Sequence, residues 1–351
     1  MINERLNGIL TSADLPIVRR VGHTEMWEQA FHELPYRPVA YSNASLDYQH
    51  AYQCGHGGEW RDLSLIVCWN NKPAAIWPIS FSTKNGESRL TSQGAPVMPP
   101  LFVPGCPSVT RKRIIKGCLA MANAIAAFAR QDTWESGESF SASLGMSDWH
   151  VESMGRGAAC SVRHELYLDL LPDLADIKRE FRKSYKALIA SGSRLWSVNV
   201  LESGGEGVWD RFRNLHLQVS GRVTRSDETW TLQHELIKQG NAFLVWLEGA
   251  SGEMVGGGFF SCTASEGLYA VGAYERSLFD KPLGHVVQYR AIEEFKKRGI
   301  SWYKIGARPY ATDSPPPTAK EISIAEFKQG FASHVFPHYS LTHEVADDED
   351  R

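Results

Sequence analysis

The chain has 351 residues, 43% apolar and 22% charged, with a formal net charge of −3. That is enough for two ordinary domains with sizeable cores, and it excludes a dedicated nucleic-acid coat protein, though not a local basic groove. No apolar run reaches the roughly eighteen residues of a transmembrane helix, and the start MINERLNGIL lacks the apolar core of a signal peptide.

In chain order, residues 1–40 read as an irregular or helical lead-in, with a helix at 24–34 placing Trp27 and Phe31 on one face. Residues 63–69 and 73–82 read as a hairpin turning at 70–72, and 89–93 starts another strand. A proline-rich loop follows Gly94 and Ala95. Ser108 or Thr110 caps a long helix to about residue 130, and 139–144 and 162–168 read as strands. A second round then begins: a basic helix at 173–190, a strand at 197–201, and helices at 205–218 and 226–237. The second of these helices has Asp227 and Glu228 in its first turn, where negative charge is favoured. Residues 242–247 and 254–262 make a hairpin. Residues 344–351 read as an acidic tail, expected to be disordered. The cysteines Cys54, Cys68, Cys106, Cys118, Cys160 and Cys262 show no C-x-x-C spacing, which fits reduced thiols and a cytoplasmic location.

The most informative stretch is 267–307, read as strand, loop, helix, strand. Pro282 suits a helix start, and Gly284 falls in the first turn. Val287, Ala291 and Phe295 make the apolar stripe, and Lys296, Lys297 and Arg298 load the last turn with positive charge. A strand, a glycine-bearing loop and a helix N-terminus can hold an anion, as group transfer from a phosphate-bearing carrier requires. An ordinary βαβ crossover has the same pattern. The hairpins and long helices of the two rounds parallel one another, with Gly94-Ala95 against Gly272-Ala273. This suggests internal duplication, with domains at 1–170 and 171–343.

Several stretches carry a resemblance. They are the basic segment FRKSYKALIASG, the strand ending at Tyr274 with small residues, the strand WYKIG containing Tyr303, and the pair Phe327-Lys328 ahead of Gly330 and Phe331. Together they resemble the FemAB-like transferases. The resemblance implies an α+β fold of two tandem GNAT-type domains with mixed sheets. It implies transfer of an aminoacyl or acyl group onto an amine of a small molecule, peptide or sugar, with aminoacyl-tRNA or acyl-CoA as donor co-substrate. It implies no bound cofactor and no metal. Two departures stand out: Lys304 occupies a position where an acid is usual, and the coiled-coil arm of some cell-wall members is missing. SLFDKPLGH supplies a single glycine for a pyrophosphate loop, which favours charged tRNA over acyl-CoA as donor.

The resemblance gives Lys328 the role of stabilising the oxyanion or the leaving oxygen; taken alone it is a surface lysine at a helix end. His285 could accept the proton of an attacking amine, or make a capping or core hydrogen bond. Arg182 and Lys186, four apart, could grip phosphates or form a solvated face. Lys178, Arg179 and Lys183 would widen that basic surface, and Lys296–Arg298 would extend it. Arg222 and Arg225 flank a short loop where arginine can clamp a carboxylate or phosphate. Tyr274 and Arg276 stand where the strand enters the anion loop, and Gly284, Tyr303 and Phe327 complete the expected binding set. No Ser-His-Asp order, nucleophile elbow or P-loop is present. Direct attack by the acceptor amine is therefore the expected mechanism. A non-catalytic binding module on the same fold is the alternative from another class.

Overall fold

The computed structural model describes residues 2–12, 15–140 and 146–345. In chain order it forms α1 (Ile2–Ser12), β1 (Ile17–Arg19), α2 (Thr24–Glu33), α3 (Asn43–Gly55), β2 (Glu59–Asp62), β3 (Leu65–Trp69), β4 (Lys72–Trp77), β5 (Ser80–Lys84), β6 (Glu87–Thr91) and β7 (Leu101–Phe102). Next come α4 (Ser108–Phe128), β8 (Thr133–Glu138), α5 (Asp148–Gly155), β9 (Ala159–Asp169), α6 (Leu174–Glu180), α7 (Lys183–Leu195) and β10 (Ser197–Leu201). The rest is α8 (Glu206–Ser220), α9 (Asp227–Lys238), β11 (Ala242–Glu248), β12 (Met254–Cys262), β13 (Glu266–Tyr274), α10 (Leu283–Lys297), β14 (Trp302–Ala307), α11 (Ala319–Gln329) and β15 (His334–Glu344).

Two compact units divide the chain. One is Arg163–Phe336; the other is made of the chain before it and after it. The chain thus leaves the first unit within β9, some residues before the seam expected at 170, and returns to it within β15. The acidic tail from residue 346 lies outside the described residues.

In the first unit β1, β3, β4 and β7 form one sheet, and β2, β5 and β6 another. The single strand expected at 73–82 is two strands, β4 and β5, interrupted at Pro78. Proline has no N–H to give a ladder, and here its carbonyl accepts from Ser92 Oγ instead. The strand expected at 139–144 lies earlier, as β8. Its inward residues are Trp134, Ser136 and Glu138, two of them polar, so the alternation carries no apolar signal. Residues 141–144 lie outside the described residues. β15 pairs antiparallel with β8, from Tyr339 opposite Glu138 to Glu344 opposite Thr133. The apolar face of α4 (Ile114, Ile115, Leu119, Ala122, Ile125) joins Trp77, Trp134 and Trp149 in this unit's core.

In the second unit the strand order is β10-β11-β12-β13-β14-β9. Every adjacent pair is antiparallel except β13 and β14, which run parallel across the α10 crossover. Alternate residues of β12 point to opposite faces. A side chain at Gly257 would meet the Phe212 ring of α8, whereas one at Gly258 would meet Val287 of α10. So α8 and α10 cover opposite faces. The basic helix expected at 173–190 is two helices, because Phe181 is extended (φ −60°, ψ 149°) and Arg182 turns its N–H to Gly330 O at 2.9 Å.

Candidate active site

β13 and β14 pair only over Glu266–Leu268 and Trp302–Lys304. Beyond that they part. Residues 269–274 stay with β12 alone, and Gly306 and Ala307 stay with Leu166 and Glu165 of β9. Ala270 and Gly272 are exposed in the middle of the sheet, on the edge that β14 has left. Two diverging parallel strands leave unpaired backbone groups facing each other, which is where a ligand can dock.

The α10 side of this opening is lined by tyrosines on a glycine floor. Tyr269 stacks on Phe260 with centroids 5.2 Å apart, and its hydroxyl lies 3.2 Å from that of Tyr274. A side chain at Gly272 would collide with the Tyr269 hydroxyl, and one at Gly256 would stand 2.8 Å from Tyr274 Cδ1. Tyr303 is fully buried and donates to Gln288 Oε1. Burial raises the pKa of Tyr269, and raises those of Tyr274 and Tyr303 well above the ordinary value, so all three stay protonated. The Gln288 amide Nε2 is buried and has no partner among the described residues. The set is rich in donors.

Lys328 reaches this opening from the last turn of α11. Gly306 has φ 139°, and Lys328 Nζ stands 2.7 Å from where a Cβ on Gly306 would be. That contact explains the glycine: any side chain would displace the ammonium. Nζ also lies 5.3 Å from the centre of the Tyr269 ring. Among the described residues it has no hydrogen-bond or ion-pair partner, and burial lowers its pKa. A half-buried cation without a counter-ion is costly to hold and is suited to receiving negative charge.

The end of α11 is tied to the start of α7. Arg182 donates from Nη2 to Glu326 O at 2.9 Å, and the Tyr185 hydroxyl donates to Phe327 O at 2.9 Å. Arg308 Nε donates to Gln329 Oε1 at 2.6 Å. At the other end Thr318 and Glu321 form a capping box.

Of the expected residues, Lys328, Tyr274, Tyr303, Phe327, Gly284, His285 and Arg182 come together here. His285 sits edge-on to the rings of Tyr185 (4.5 Å) and Phe327 (5.0 Å). Burial first, and the Arg182 charge second, push its pKa down to about 4. Gly284 is explained by packing, since a Cβ there would stand 3.1 Å from Phe327 Cζ.

Several residues of the expected basic surface already have partners within the chain. Arg182 is spent on α11, Lys178 lies over the Tyr289 ring at 4.7 Å, and Arg179 pairs with Asp176. Lys296 Nζ donates to the carbonyls of Leu170 and Pro172 at 2.8 Å each, Lys297 pairs with Glu202, and Arg298 with Glu294. Lys183 is exposed and Lys186 half-buried on the first turns of α7. Lys304 faces Glu165 at 2.8 Å, so an acid does stand beside it, supplied by β9. Arg222 and Arg225 lie between α8 and α9, and α8 covers the sheet face opposite α10. Arg225 packs over Trp230 (5.5 Å) beside His216 (3.1 Å), and Arg222 is exposed. Arg276 is exposed in the turn after β13.

Sequence reasoning missed Tyr185, Tyr269 and Gln288. Gln288 carried a signal, being a lone amide among the buried residues of α10.

No protein-family model and no curated protein matches the sequence. Solved structures do match. FemX is similar over 90% of this chain and 95% of its own, at 10% identity and TM-score 0.64. L-PGS from Bacillus licheniformis is similar over 93% of both chains, at 12% identity and TM-score 0.57. A tandem GNAT protein from the clavulanic acid biosynthesis pathway is similar over 96% of this chain and 100% of its own, at 13% identity and TM-score 0.52.

The chain has the tandem GNAT fold seen in these structures. The α+β architecture of two GNAT-type domains with mixed sheets follows from these likenesses together with the strand order. In the second unit of this tandem GNAT fold, the candidate site combines the parting of β13 and β14, the α10 crossover and Lys328.

Proposed function

We propose that the protein is a transferase that moves an acyl or aminoacyl group onto an amine, by direct attack on the donor's carbonyl carbon. The observation that carries this reading is the unpaired Lys328 ammonium held at the opening between β13 and β14 beside the Tyr269 ring, in a fold shared with FemX and a tandem GNAT protein. The amine forms a C–N bond, negative charge gathers on the carbonyl oxygen, the C–O or C–S bond then breaks, and the proton that the amine loses passes to the leaving oxygen or sulfur, which departs as the hydroxyl or thiol. Lys328 is assigned to that oxygen or to the leaving atom, and the protonated tyrosines and the Gln288 amide orient the acyl group. His285 is assigned a packing role, because a pKa near 4 leaves it a poor base at neutral pH.

Aminoacyl-tRNA is the donor favoured here. The loop before α10 has one glycine, and the Phe327 ring already packs on Gly284 in the first turn, where a pyrophosphate would need open N–H groups. A second reading, acyl-CoA as donor and a sugar or small-molecule amine as acceptor, is favoured by the pairing-off of Arg179, Lys296, Lys297 and Arg298. That pairing leaves little free charge for a tRNA stem.

The test is single-turnover transfer to a panel of amines from charged tRNA and from acyl-CoA, in parallel. Lys328→Ala is expected to slow transfer by about a hundredfold, the scale for losing one oxyanion stabiliser. Transfer that is indifferent to Lys328 would remove its assigned role. Ligand binding with no transfer from either donor would favour the binding-module alternative.

A further inference from the structure

We propose that Arg182 and Tyr185 are positioning residues that hold Lys328 at the opening between β13 and β14 by fastening the last turn of α11 to the start of α7. The inference rests on the reading of Lys328 given above.

Three bonds converge on one turn. The Arg182 backbone N–H donates to Gly330 O, its guanidinium to Glu326 O, and the Tyr185 hydroxyl to Phe327 O, each at 2.9 Å. Glu326, Phe327 and Gly330 surround Lys328 in sequence. The last carbonyls of a helix have no intrahelical partners and carry its negative end, so a guanidinium there satisfies both. The Tyr185 ring fills the space where a side chain at Gly330 would stand, and it also packs against Phe327 (6.0 Å) and Phe331 (4.9 Å). These contacts also account for the break between α6 and α7. A helix running on through Phe181 would not turn the Arg182 N–H toward Gly330.

α11 itself needs the anchor. Ala325 is its one buried residue, so the helix adheres to the unit mainly through its end. A lysine on an unanchored terminal turn would relax outward, where its ammonium is fully hydrated. The charged and titratable groups around this turn include the Tyr269 phenol under Nζ with the Tyr274 hydroxyl beside it, Arg308 bonded to Gln329, and Arg182 and the neutral His285 on the α7 side of Phe327. Glu165, the acid on β9, is paired with Lys304, and no ion pair joins Lys328 to an acid among the described residues.

The test reads Lys328 directly in the full-length protein. Trace labelling of lysines with acetic anhydride across a pH series, followed by peptide mass spectrometry, gives the midpoint at which Lys328 becomes reactive. In the wild type that midpoint lies below the ordinary lysine value. In Arg182→Ala and in Tyr185→Phe it is expected to rise toward that value. Where transfer is measured, kcat should fall about tenfold with little change in KM. Tyr185→Phe keeps the ring, removes one hydroxyl and changes no charge, so it decides the matter, whereas Arg182→Ala also removes a cation and would raise the midpoint on that ground alone. A rise in Tyr185→Phe supports the anchor. A midpoint unchanged in Tyr185→Phe overturns it, whether or not the protein proves to be a transferase. Failure of the catalytic reading would show separately, as transfer insensitive to Lys328→Ala.

Discussion

His343 stacks on Trp134 with ring centroids 3.8 Å apart and interplanar angle 3°, and its Nε2 lies 2.9 Å from Ser136 Oγ. Burial first, and the charge of Arg156 second, push its pKa down to about 4. An unfolded chain takes up that proton near pH 6.5. Below that pH the unfolded state therefore holds more protons than the folded one. The contribution is complete above about pH 6.5 and is lost as pH falls to about 4. With the residue only 6% exposed, the loss is on the order of 3 kcal/mol. Glu138 works against it, since burial raises its carboxyl pKa and its contribution is lost as pH rises. Comparing wild type with His343→Gln by urea unfolding from pH 7 to pH 4 isolates the histidine: the variant should lose less stability over that interval. Equal slopes would count against the assignment.

At the scale of the element, the β12–β13 hairpin depends on small residues facing α10. A Cβ at Gly258 would stand 2.9 Å from both Phe260 Cε2 and Val287 Cγ1, two fully buried side chains with no room to move. Gly258→Ala is expected to cost about 1–3 kcal/mol through overpacking, read as a lowered denaturant midpoint with an unchanged slope. Unchanged stability would mean that α10 can shift away from the sheet. This same run, from 242 to 307, was the most legible part of the sequence. Its strands are apolar and short, its helix has a clear four-residue stripe, and its turns carry glycine or proline. Elements held by distant partners were not legible. Nothing in Phe181 or Arg182 forbids a helix, and the break comes from Gly330 O, far along the chain. β8 hides its buried face behind Ser136 and Glu138, whose partners include Ser147 and His343. In the site, Lys328 was found through the resemblance. Tyr269 and Gln288 acquire meaning only when β13 and β14 are seen to part.

On the scale of the whole molecule, the first unit is finished by the last described strand. Leu341 is fully buried in that unit's core, and β15 supplies the hydrogen-bonding partner of β8. A chain ending at residue 336 would leave β8 an unpaired edge and uncover Trp134. Amide hydrogen exchange is the check: protection of the β8 amides that face β15 should be lost in that truncated chain, while protection within β11 and β12 persists; Gly137, whose N–H donates to Val97 O, is left out of the reading. Retained protection of the β15-facing amides would show that β15 is dispensable.

That closure sets an order of events during translation. The stretch 163–336 is contiguous, so it can leave the ribosome whole and fold as a unit. The N-terminal segment emerges first but cannot close its own structure until the strand ending at Glu344 has been made. The segment before residue 163 is made ahead of 163–336 yet is completed after it, and until Glu344 has been made the nascent protein carries an open β8 edge for chaperones to shield.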